Sequence, residues 1–152
     1  MNETRPDPDR LLAEVADEQR RATRGKLKIF FGACPGVGKT YAMLQSLHQL
    51  QTEGRGVLVG IAETHGRTET ARLLEGLPHL PLREAQYRGH VLREFDIDAV
   101  LAARPELVAV DELAHSNVDG SRHRKRWQDV EELLAAGVGV HTTLNVQHLE
   151  GL

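Results

Sequence analysis

The sequence predicts a three-layer α/β/α domain of the phosphate-loop NTPase kind, built on a mostly parallel sheet. Three observations carry this. Short apolar runs alternate with stretches of helical periodicity along most of the chain, the pattern of strand–helix–strand units. The first run feeds FFGACPGVGKTYA, Phe30 to Ala42, a glycine-rich loop that closes on Gly38, Lys39 and Thr40. A later run, LVAVDE (107–112), stays apolar until it ends in two carboxylates.

Residues 1–25 read as an N-terminal arm and 26–152 as the nucleotide-binding domain. The first nine residues look disordered, although Asp7-Pro8 offers a helix cap followed by proline at the first helical position. Leu11, Leu12, Val15 and Gln19 would then share one face of a short helix ending near Gly25. KLKIFFG (26–32) is rich in β-branched and aromatic residues and stops at glycine, as a strand feeding a turn does. Met43, Leu44, Leu47 and Leu50 recur at helical spacing before Gly54. VLVGIAE (57–63) is a continuous apolar run, expected of a strand covered on both faces. Thr68 to Glu75 suits a short helix closed by Gly76 and Pro78. The stretch PHLPLREAQYRGHVLREF gives one short strand near Leu82–Tyr87 and a loop around Gly89. Asp96 caps a helix carrying Ile97, Val100 and Leu101, which Pro105 stops. After LVAVDE comes a loop, and then a helix marked by Trp127, Val130, Leu133 and Leu134 and closed by Gly137. VGVHTTLN (138–145) is the last strand. The sequence ends soon after it, so the reading expects a domain truncated at its C-terminus.

The chain has 152 residues, enough for one domain with a real core. Its net charge of −3 gives no support to direct nucleic-acid binding or to contact with an anionic membrane. The single cysteine, Cys34, allows no internal disulfide and no cysteine zinc site, which suits a reducing, cytoplasmic setting. No apolar run approaches the ~20 residues that span a bilayer. The histidines show no zinc-site spacing.

The loop departs from G-x-x-x-x-G-K-[ST] at one place. Ala33 stands where the signature has glycine, and Gly32 is one position early. An anion needs backbone N–H groups aimed at one point, and a glycine-rich turn entering a helix N-terminus supplies them. Across Ala33, Cys34, Pro35, Gly36, Val37 and Gly38, proline has no N–H to give, so the donors come mainly from Gly36 onward. Lys39 is the charge for the β- and γ-phosphates of ATP. The Thr40 hydroxyl is a ligand for Mg²⁺. Asp111 is the second metal residue, and Glu112 is the group that orients or deprotonates an attacking water, so Glu112 and Lys39 carry any catalysis.

Other residues follow strand ends, where open α/β sheets bind ligands. His65 and Arg67 in AETHGRTE are candidates for phosphate contact, and His115 and Asn117 lie just past Asp111. Asn145, Gln147 and His148 follow the last strand, where a polar side chain can sense a γ-phosphate. Residues 121–126 (SRHRKR) form a basic run that ordinarily reads as a solvated face. Basic charge at a helix start opposes the dipole, however, so some of it is expected to have a task.

KIFFGACPGVGKTYAML, VLVGIAETHGRTET, AVDELAHSN, GSRHRKRWQDVEELLAAG and TTLNVQHLE together resemble the N-terminal domain of the KdpD family, sensor histidine kinases of bacterial potassium uptake. The resemblance runs from Lys26 to Glu150. It implies a cytoplasmic domain at the start of a membrane-anchored kinase, with a nucleotide site that modulates the kinase and phosphatase balance. The partners it implies are the transmitter domain and, through it, a response regulator. The loop of the family often reads GxAPGVGKT, so Ala33 fits it, whereas Cys34 stands where many members have alanine. No phosphoacceptor block H-E-x-x-[TN]-P and no D-x-G-x-G box occurs in the sequence, so histidine autophosphorylation is not expected of this chain alone. A free-standing phosphotransferase of thymidine-kinase-like layout is the alternative. One cysteine and 4% aromatic residues speak against its zinc site and nucleoside lid. A third reading, a protein-binding scaffold with a decayed site, is opposed by the intact Lys39, Thr40, Asp111 and Glu112.

Overall fold

The computed structural model describes residues 7–32 and 38–147. In chain order its elements are α1 (Pro8–Thr23), β1 (Leu27–Gly32), α2 (Lys39–Thr52), β2 (Val57–Ile61), α3 (Thr68–Glu75), β3 (Arg83–Tyr87), β4 (His90–Glu94), α4 (Ile97–Ala103), β5 (Leu107–Val110), α5 (Arg126–Ala135) and β6 (Gly139–Asn145). β1, β6, β5 and β2 lie side by side in that order and pair in parallel, forming a four-stranded sheet. The expected α/β architecture with a mostly parallel, helix-flanked sheet is what the chain adopts.

The period of the strands divides the core between the two faces. On β5, Leu107 and Ala109 turn toward Met43, Leu44 and Leu47 of α2. Val108 and Val110 turn the other way, toward Val100 of α4 and Val130 and Leu133 of α5. A strand covered on both sides has no polar face, which is why β5 reads as an unbroken apolar run.

Three elements differ from expectation. The helix starts at Pro8 behind the Asp7 cap that the sequence offered, but α1 runs for 16 residues and is not short; residues 1–6 of the expected disordered start lie outside the described residues. The Asp7 side chain accepts the Asp9 N–H at 3.1 Å, the cap that sets this start. β2 stops at Ile61 instead of reaching Glu63, and its register against β5 shifts between Val59 and Ile61. Gly60 sits at that shift, where a Cβ would come within 2.5 Å of Phe95 Cε1. Finally, β3 does not end in a loop. It turns through Arg88 and Gly89, both at positive φ (50° and 78°), into β4, an antiparallel hairpin apart from the main sheet. Two residues at positive φ form the tight turn that suits hairpin twist. β4 escaped the sequence reading because it does not alternate: His90 to Arg93 are all exposed and only Glu94 is buried.

The strand order puts β6 between the loop strand β1 and the acid-bearing strand β5. Gly32 is paired with Asn145, and Val110 with Thr142, so the C-terminal ends of all three strands open onto one place.

His141 of β6 is buried against α2, 8% exposed, with Nδ1 2.8 Å from Ser46 Oγ. Burial, helped by the nearby Lys28 charge, lowers its pKa to about 4. The unfolded chain therefore takes up a proton that folded His141 refuses, from near pH 6.5 down to about 4. Stability should fall as pH drops through that window, by roughly 3 kcal/mol from this group. Urea unfolding of wild type and His141→Leu at both ends of the window checks this. The variant should lose less stability, and equal losses would show that His141 is not the group responsible.

Candidate functional site

The site begins where β1 hands over to α2. Gly38, at φ 73°, is the N-cap of α2, and its carbonyl accepts the Ala42 N–H at 2.9 Å. Lys39 follows as the first helical residue and lies back along the end of β1. A Cβ on Gly32 would stand 2.6 Å from Lys39 Cδ and 2.8 Å from Cγ. The glycine that falls one place early for the signature is thus the one that leaves room for the lysine stem.

Across from it, Asp111 follows β5 and is 1% exposed. Its Oδ2 accepts the Thr40 hydroxyl at 2.9 Å and the Glu63 N–H at 2.9 Å. Its Oδ1 accepts the Thr143 hydroxyl and, at 3.2 Å, the Glu112 N–H. The same Glu112 N–H reaches Thr143 Oγ1 at 3.0 Å. These bonds hold Glu112 in a left-handed conformation (φ 59°), which a non-glycine residue adopts at a cost of about 1 kcal/mol. Glu112 is exposed, while the acid beside it is buried.

A cleft of about 190 Å³ opens between these groups. Gly38, Lys39, Thr40, Asp111, Glu112, His65 and Asn145, all singled out in the sequence, line it together. Ala33, Cys34, Pro35, Gly36, Val37 and His148 lie outside the described residues. Asn145 Oδ1 is buried and has no hydrogen-bond partner among the described residues. Arg67 and His115 are also on the cleft wall. Asn117 is not; it faces away, its amide donating to Asp129 Oδ2 at 2.8 Å. Gln147 is exposed and outside the lining.

The sequence did not single out Arg126, Thr143 or Glu94. The basic run is not one solvated face. Arg122 pairs with Asp98 and Glu132, but Arg126 is only 2% exposed, and its Nη1 donates to the Asp111 carbonyl at 2.9 Å. Burial pulls the guanidinium below its ordinary pKa range, opposed by the charges of Glu94, Glu112, Asp111 and Asp129. The misplaced basic charge at the start of α5 was the available signal. Glu94, 5% exposed at the end of β4, holds His115 Nε2 at 3.0 Å. No pattern within β4 marks it.

The Gly32–Lys39 contact yields a test. Gly32→Ala should leave the fold intact, since Gly32 has no left-handed φ to protect, yet force the lysine stem aside. Binding of a phosphate-bearing ligand should weaken about tenfold, the effect of ~1.4 kcal/mol of lost contact. Calorimetric titration alongside a melting curve separates the two effects, and full affinity in the variant would show that the lysine does not need this clearance.

The family model described as "KdpD: Osmosensitive K+ channel His kinase sensor domain" matches residues 23–152. "Sensor protein KdpD" of Escherichia coli (strain K12) is 61% identical over 148 residues, covering 97% of this chain and 16% of that protein. The protein of the same name from Clostridium acetobutylicum is 51% identical over 152 residues, covering 100% of this chain and 17% of its own length. That of Mycobacterium tuberculosis is 54% identical over 129 residues, covering 85% and 15%. The chain thus spans about one sixth of the length of these relatives. The chain belongs to the KdpD family, in which it corresponds to the N-terminal sensor domain.

Proposed function

We propose that the domain binds Mg²⁺–ATP and, through the state of that site, sets the kinase and phosphatase balance of a KdpD-type sensor histidine kinase in potassium uptake. The observation that carries this is the contact between Thr40 and Asp111. A hydroxyl at a helix start and a carboxylate at a strand end, far apart in the chain, meet at 2.9 Å. That pair, with Lys39 beside it, is the donor set a Mg²⁺–triphosphate takes. Among the described residues no cluster of His, Cys, Asp or Glu could hold a metal by itself. This suits a cation that arrives with phosphate oxygens. The unpartnered Asn145 amide oxygen marks a place for a further polar ligand atom or its water.

In this reading the residues divide the work. Gly36, Gly38 and Lys39, with the backbone from Ala33 to Val37, cradle phosphates. Thr40 and Asp111 hold the cation, and His65 and Asn145 complete the contacts. Bound Mg²⁺–ATP supplies a terminal phosphoryl group open to attack. Glu112, exposed at the cleft and fixed through its N–H, orients a water and takes its proton, so that slow hydrolysis accompanies binding. Ordering of the loops around the terminal phosphate passes the state to the transmitter domain and through it to a response regulator. No described helix is long and apolar enough to cross a membrane, and the domain is assigned to the cytoplasmic side of a membrane-anchored kinase.

Titration of ATP with and without Mg²⁺ into wild type and Lys39→Ala tests the site. A charge-assisted contact of about 2 kcal/mol predicts a loss of roughly thirtyfold in the variant. Unchanged affinity would remove nucleotide binding from this cleft.

A further inference from the structure

The start of α3 forms part of the wall of the cleft that Lys39 also lines. The turn before it closes by Arg67 N–H donating to Thr64 O at 3.0 Å, with His65 and Gly66 both left-handed (φ 52° and 68°). Glu63 takes the His65 N–H at 3.4 Å. The N–H groups of the first turn of α3 itself carry no side-chain cap. A helix start left uncapped beside a cleft is not by itself a site. A second feature points the same way.

Thr70, in that first turn, is 4% exposed, and what it exposes lines the cleft. Its hydroxyl makes no hydrogen bond to any described residue. Four residues back from Thr70 is Gly66, ahead of the helix, so no helical carbonyl stands there for its hydroxyl. Arg67 stands on the same wall, and its guanidinium has no ion pair among the described residues. A cation, uncapped N–H groups at a helix start and a free hydroxyl donor are together the chemistry of a phosphoryl group.

We propose that the start of α3, with Arg67 and Thr70, is a second phosphoryl subsite in the cleft that Lys39, Thr40 and Asp111 also line. It rests on the nucleotide reading above and adds to it. The loop at 38–40 holds one end of the ligand, and α3 receives a phosphoryl group beyond it. That group is either the terminal phosphate of the same nucleotide or a phosphate from a second molecule. Glu69, the acid in the first turn of α3, and Glu112 oppose anion binding there, so the subsite depends on Arg67.

The test uses the whole chain as wild type, Thr70→Val and Arg67→Gln. ADP, ATP, and inorganic phosphate added to ADP-saturated protein are titrated into each. Both variants should bind ADP within about twofold of wild type, because ADP does not reach α3. If the terminal phosphate is the occupant, ATP affinity falls about tenfold in each variant. If a second molecule is the occupant, ATP affinity holds and phosphate binding to the ADP complex falls about tenfold. Wild-type affinities throughout in both variants would overturn the subsite, as would equal losses for ADP and ATP. Thr70→Val should melt no lower than wild type, since it removes a hydroxyl the fold does not use. A clear drop would assign the hydroxyl to the fold and overturn its ligand role. Failure of the nucleotide reading shows separately, as ADP binding that Lys39→Ala leaves unchanged.

Discussion

The structure depends on the buried carboxylate of Asp111. It accepts from Thr40 on α2, from the backbone after β2, from Thr143 on β6 and from the backbone of Glu112. Thr40, Glu63 and Thr143 lie 71, 48 and 32 residues from Asp111 in the chain, whereas Glu112 is its neighbour. Hydrogen bonds to a carboxylate contribute about 1.5–3 kcal/mol each in favourable cases, and leaving such donors unpaired costs comparably. The cleft is therefore not merely a gap between loops. It is the surface of a bonded junction whose geometry the sheet and this carboxylate set together.

The strand order makes the junction workable. With β6 between β1 and β5, the loop strand and the acid strand stand one strand apart. Thr143 and Asn145 then fall on the floor of the cleft, two residues apart and on the same face of β6. One is spent on Asp111, while the other keeps a buried oxygen unpartnered. Arg126 closes the junction from below. It is buried among carboxylates and donates to the Asp111 carbonyl. A buried cation of this kind stabilises only if its partners stay in place, so it ties the start of α5 to the floor of the site.

Much of this was legible in the sequence because local signals agreed. The period of Met43, Leu44 and Leu47, the unbroken run LVAV and the punctuation at Gly76, Pro105 and Gly137 each name an element and its end. Thr40 and Asp111 were legible as a pair because each has a motif. What stayed hidden needs tertiary information. Glu94 looks like any acid on an exposed hairpin until His115 is seen against it. Arg126 is one base among several in SRHRKR, and only the fold selects it for burial. Gly32 looked like a glycine out of register, because its role concerns the stem of Lys39 and not its own backbone. The positive φ of Glu112 leaves no mark on a sequence at all.

Asp111 joins the segments around the cleft and, in the function proposed for the domain, completes a Mg²⁺-dependent nucleotide site. Asp111→Asn tests it most directly, because the amide keeps the size but offers donors where acceptors are needed. Denaturant unfolding and nucleotide titration with and without Mg²⁺ would be measured on the same preparation. The variant should lose roughly 2–4 kcal/mol of stability, and its nucleotide affinity when folded should no longer respond to Mg²⁺. A variant as stable as wild type that still binds nucleotide more tightly with Mg²⁺ would contradict it.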